Sequence, residues 1–66
     1  MAQRALPTPA ARRAIRMGAG LTQPDLAAEL GVSPATISRW EAGLVVPLHD
    51  HRQAYAQVLD DLRALA

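Results

Sequence analysis

The only concentration of groups able to bind a metal or move a proton in this chain is His49-Asp50-His51. Neighbours on a helix diverge and residues two apart do not share a face, so a metal or acid–base site there needs additional ligands. Helix-cap chemistry at Asp50 is the more economical reading, and no catalytic residue, metal site or cofactor is expected. The remaining chemistry is cationic. Every basic residue is arginine, and Arg4, Arg12, Arg13 and Arg16 all precede the first acidic residue, Asp25, although the net charge is only +1. A basic amino-terminal third suits a polyanionic partner approached by one face. The competing reading of these arginines, a solvated helix surface, is equally compatible with charge alone.

The elements that position such groups are short helices. A chain of 66 residues forms one domain and buries only about 60% of the surface its unfolded form exposes. Cysteine is absent, so helix packing or a partner subunit must hold the fold. Residues 1–7 read as a flexible arm. Thr8 and Pro9 start a first helix, 9–19, with Ile15 and the methyls of Ala10, Ala11 and Ala14 facing inward, and Gly18 and Gly20 flank its stop. Thr22 caps a second helix, 23–30, whose buried stripe is Leu26, Ala27 and Leu30. Ser33 and Pro34 start a third, 34–42, and Gly43 closes it. From Asp50 the stripe Tyr55, Val58, Leu59, Leu62 and Leu65 describes a last helical segment over 50–65. Trp40, three residues after Ile37, belongs to the core and packs on that last helix. Tyr55 joins the same core, with its hydroxyl reaching solvent or a backbone partner.

The connection Gly31-Val32-Ser33 joins the second and third helices at the spacing a helix-turn-helix requires. From Arg16 to Leu59 the chain then resembles the Cro and cI repressor type of helix-turn-helix, the Xre-like family. The resemblance rests on Arg16, Gly20-Leu21-Thr22-Gln23, Leu26-Ala27, Leu30-Gly31-Val32-Ser33, Thr36-Ile37-Ser38-Arg39-Trp40-Glu41 and the spacing from Glu41-Ala42-Gly43 to Pro47. It implies an all-α, compact four- to five-helix domain of the lambda-repressor type that regulates transcription by binding double-stranded DNA. It also implies a structural ion pair between Arg16 and Glu41, and a phosphate contact from Gln23. The chain departs from the family where Leu44, Val45 and Val46 replace a basic or polar loop. The start of the last helix, with His49, His51, Arg52 and Gln53, is also more polar than the family pattern.

In this motif the third helix enters the major groove with its amino-terminal residues against base edges. On a helix beginning at Pro34, Ala35, Ser38, Arg39 and Ala42 share the face opposite Ile37 and Trp40. Ala35, Ser38 and Arg39 are the expected base readers, with Pro34 and Thr36 beside them. Arg39 carries the clearest chemistry, a fork matched to the O6 and N7 acceptors of guanine. Gln23, Thr22 and Ser33 at helix starts, and Arg12 and Arg13, are the expected phosphate contacts; for Arg12 and Arg13 a solvated helix face stands slightly ahead. Leu62 and Leu65, at the end of the apolar stripe, are the expected contact of a homodimer. No apolar run reaches membrane-spanning or leader length, which predicts a cytoplasmic chain with no membrane partner. The rival readings are an excisionase-like winged helix, with a wing starting at Gly43–Pro47, and an antitoxin or other protein-interaction module.

Overall fold

A computed structural model describes residues 5–65. Among the described residues there are four helices and no strand: α1, Pro9–Gly18; α2, Gln23–Leu30; α3, Pro34–Glu41; and α4, His49–Leu65. The arm is expected to begin at Met1, and its first four residues, Arg4 included, lie outside the described residues.

Each of the first three helices starts on a hydroxyl and a proline. Thr8 Oγ1 accepts from the Ala11 amide at 3.2 Å, and Ser33 Oγ accepts from the Thr36 amide at 3.2 Å. Thr22 and Asp25 satisfy each other reciprocally: the Thr22 hydroxyl accepts from the Asp25 amide and the Asp25 carboxylate accepts from the Thr22 amide. These bonds occupy amides that the helix itself leaves without partners. The stop after α2 is equally local. Gly31 adopts a left-handed φ of +68°, which lets the Val32 amide turn back to the Ala27 carbonyl. A side chain there costs about 1 kcal/mol or more because of the Cβ clash in that region.

The core is Leu26 and Ala27 of α2, Ile37 and Trp40 of α3, and Tyr55 and Leu59 of α4. Trp40 and Tyr55 stack with ring centroids 5.2 Å apart, so the packing of Trp40 on the last helix is as its spacing predicts. The last segment is one continuous helix. Residues 44–48 form a loop with no strand, so the wing required by the excisionase-like reading is not built there.

Three expectations about side chains are corrected. On α1 the alanines do not form the inward face. Ala10 and Ala14 are exposed and Ala11 is half-buried; Ile15 packs against the core as expected, and Arg12 and Arg16 turn inward beside it. The i, i+3, i+4 spacing of these three makes one stripe, and an arginine stem covers more apolar surface than a methyl if its head finds partners. Arg12 does find them. It is 7% exposed, donates from Nε to the Pro7 carbonyl at 2.9 Å and from Nη1 to the Trp40 carbonyl at 3.4 Å, and lies over the Tyr55 ring at 5.6 Å. A solvated face and a phosphate contact are therefore both replaced for Arg12 by an internal clasp between the arm, α3 and α4.

Finally, the Tyr55 hydroxyl reaches neither solvent nor a backbone group. It is buried and has no hydrogen-bond partner among the described residues. Burial pushes its pKa above the ordinary value, against the charge and hydrogen-bonding pull of the nearby Arg12 guanidinium, whose N–H groups do not reach hydrogen-bond geometry with the hydroxyl. Removing an unsatisfied buried hydroxyl recovers its desolvation cost. Tyr55→Phe is expected to raise stability by about 1 kcal/mol, or about 4 to 8 °C in the thermal midpoint of a domain this size. A melt followed by circular dichroism checks this, and a lowered midpoint would show that the hydroxyl has a partner in solution.

Candidate nucleic-acid interface

Helix α3 is sharply two-sided. Ile37, Trp40 and Glu41 are buried, whereas Pro34, Ala35, Ser38, Arg39 and Ala42 are exposed. The expected reading face is thus a continuous outer surface of the helix, small except for one long cation. The Arg39 guanidinium has no partner among the described residues. Thr36 is different: it is half-buried, and its hydroxyl lies 2.9 Å from that of Ser33. Its side chain is tied to the helix cap, as is that of Ser33, and Thr22 is occupied in the same way at the start of α2.

Behind this face lies an open trough of about 420 Å³ lined by Arg13, Arg16, Gln23, Ser38, Glu41 and Ala42. Its floor is a forked ion pair. Arg16 donates from Nε to Glu41 Oε2 at 2.6 Å and from Nη2 to Oε1 at 3.0 Å, and its Nη1 donates to the Leu21 carbonyl at 2.8 Å. Both residues are 8% exposed, so the pair expected between α1 and the end of α3 is present and buried. Gln23, half-buried at the first position of α2, adds a third donor: its Nε2 reaches Glu41 Oε1 at 3.1 Å. Arg13 is exposed at the rim.

Sequence reasoning missed the bond from Gln23 to Glu41. These residues are 18 apart and on different helices, so no periodicity links them, although both sit in family positions. It also placed Ser38 only among base readers, whereas the fold puts it on the wall of the trough beside Gln23.

The electrostatics follow from burial and hydrogen bonding in opposition. Burial pushes the Glu41 carboxyl upward, but the donors Arg16 and Gln23 and the Arg16 charge outweigh it and hold Glu41 below its ordinary value of 4.5. The hydrogen bond to Glu41 raises Arg16 against the opposing effect of its own burial. A carboxylate with a depressed folded pKa stabilises the fold above its unfolded value, and this contribution is lost as pH falls through the folded value. The contribution of Glu41 is therefore expected to be constant from pH 4.5 to neutrality and to be lost below pH 4.5, so that stability declines on acidification. Urea unfolding at a series of acidic pH values measures this, and stability that rises on acidification would contradict it.

The matching of this chain to protein-family models picks out a helix-turn-helix family over residues 13–60. That span contains α2, the Gly31-Val32-Ser33 turn, α3 and the ion pair. The chain belongs to the Xre/Cro-like helix-turn-helix family. No curated protein and no solved structure matches it. The helix-turn-helix assignment makes the protein a DNA-binding regulator with a small lambda-repressor-like fold. Among the described residues no helix is long and apolar enough to cross a membrane, and none of their acidic, histidine or cysteine side chains group as metal ligands. In this helix-turn-helix protein the loop after α3 carries Leu44, Val45, Val46 and Leu48, each between 47% and 78% exposed. Side-chain charge for phosphates is absent from that loop.

Proposed function

We propose that this protein is a sequence-specific transcriptional regulator of the Cro or repressor type, as phages and plasmids use, working inside a bacterial or phage-infected cell. The observation that carries the reading is the outer face of α3. Arg39 stands there with a free guanidinium among Ala35, Ser38 and Ala42, on a helix whose opposite face is locked by Ile37, Trp40 and Glu41. Arg39 takes a guanine edge in the major groove, Ala35 presses a methyl on thymine, and Ser38 bonds to a base or to the adjoining phosphate. Pro34 and Thr36 flank these contacts. Gln23 and Arg13, with the cap residues Thr22 and Ser33 behind them, hold the phosphates and set the register.

Two copies joined through Leu62 and Leu65 would read half-sites about 34 to 36 Å apart. Leu65 is largely exposed and Leu62 half-buried, which leaves apolar surface for a partner at the end of α4.

The test is selection from random-sequence duplexes, first at low and then at near-physiological salt, because phosphate attraction weakens with salt while base reading persists. Enrichment of an inverted repeat supports a dimeric operator-binding regulator, and one short half-site supports a monomeric reader. The exposed aliphatic loop at Leu44–Leu48 favours a second reading, a protein-interaction module. No enrichment at either salt, from a chain shown to be folded, puts that second reading first.

A further inference from the structure

The Arg16–Glu41 pair has a third member that stability alone does not require. A carboxylate only accepts hydrogen bonds, so the side of the Gln23 amide that faces Glu41 must be the nitrogen. With one N–H engaged at 3.1 Å, the amide plane is fixed, and the second N–H and the carbonyl oxygen remain for the open trough. The bidentate Arg16 guanidinium neutralises the carboxylate. Without that, an anion at this spot would repel a phosphate in the trough. A buried ion pair of this geometry is thus an anchor carrying little net charge, and its exposed end is an oriented amide.

We infer that Glu41 is a positioning residue for the DNA contact: held by Arg16, it fixes the Gln23 amide so that its free N–H is presented to a backbone phosphate. This rests on the reading of Gln23 as a phosphate contact given above and adds how α1, α2 and α3 jointly set that contact. The pair is then more than a structural link between α1 and α3. The register of α3 in the groove is coupled to the phosphate clamp at the start of α2 through one carboxylate.

The experiment separates this role from simple support of the fold. Replacing both partners by apolar residues of similar size, Arg16→Met together with Glu41→Leu, removes the anchor without stranding a charge, and such exchanges are commonly neutral or stabilising. Duplex affinity is measured for the parent, the paired variant, and each of these with Gln23→Ala added. The paired variant is expected to be folded and to bind about tenfold more weakly, the loss of one hydrogen bond to a charged group. Gln23→Ala should cost the same factor in the parent and almost nothing in the paired variant. Arg39→Ala should cost an equal factor in both backgrounds. Unchanged affinity of the paired variant, an equal cost of Gln23→Ala in both backgrounds, or an Arg39 contribution that also vanishes overturns the proposal; the last would mean that α3 as a whole has shifted.

Nuclear magnetic resonance of the parent without DNA gives an answer even if the paired variant does not fold. The Gln23 side-chain amide proton that faces Glu41 should be displaced from the shift of a free glutamine and lie close to the Arg16 Nη2 protons, which share Glu41 Oε1 with it; free-glutamine shifts with no proximity to Arg16 overturn the anchoring. Failure of the parent to bind any duplex removes the DNA reading, and this proposal with it. Binding by the parent with uncoupled variants removes this proposal alone.

Discussion

Glu41→Leu alone is expected to unfold most of the protein at room temperature. The substitution leaves the Arg16 guanidinium buried with only the Leu21 carbonyl as partner, and stranding one member of a buried pair costs about 3 to 5 kcal/mol. A single core in a domain this small supplies about 3 to 5 kcal/mol of stability in total, so the loss is comparable with all of it. Thermal and urea unfolding measure the effect. The comparison that matters is with the paired Arg16→Met, Glu41→Leu variant, which is expected to recover cooperative unfolding because no uncompensated charge remains. A single variant as stable as the parent would mean that Arg16 finds water or another acceptor in solution. A paired variant as unstable as the single one would mean that the geometry of the fork, and not only its charge balance, holds α1 on α3.

Arg39→Ala is expected to leave the melting curve almost unchanged and to remove about 1 to 3 kcal/mol of discrimination at one base pair of the selected site. Stability is spared because the side chain is exposed and makes no hydrogen bond or ion pair among the described residues. The loss should be confined to the position that Arg39 reads, with other positions of the site still enriched. Arg13→Ala provides the contrast. Its cation lies at the rim of the trough, so it should weaken binding evenly across sequences and lower the slope of log affinity against log salt by about 0.9. If Arg39→Ala instead behaves in that uniform way, Arg39 is a phosphate contact and base reading falls to Ala35 and Ser38. Competition binding with duplexes varied one position at a time decides between the two.

Together the two variants test opposite sides of one helix. The buried side of α3 holds the domain together through Trp40 and Glu41, and the outer side is the face we propose for recognition. The division explains how a short helix serves both purposes: with 3.6 residues per turn, positions 37, 40 and 41 are committed inward while 35, 38, 39 and 42 stay free.

What the sequence determined by itself is what depends on residues a few positions apart. Thr8-Pro9, Thr22 with Asp25, and Ser33-Pro34 announce helix starts because a hydroxyl needs only the amide three residues on. Gly31 announces the turn because only a residue without Cβ takes a positive φ at low cost. The stripes Leu26-Ala27 and Tyr55-Leu59 follow from helical periodicity, and the pairing of Arg16 with Glu41 was legible only through the family resemblance.

The tertiary structure alone decided matters that join distant segments. Whether Arg12 faced solvent or the interior depended on carbonyls at Pro7 and Trp40, the latter 28 residues away. Whether the Tyr55 hydroxyl was satisfied depended on what else filled the space around it. The hydrogen bond from Gln23 to Glu41 exists only because α2 and α3 meet at the turn angle that Gly31 permits. A polar side chain's local spacing shows which way it leaves its helix, but its partners are supplied by the packing of other elements, and that packing settles whether a charge is support or surface.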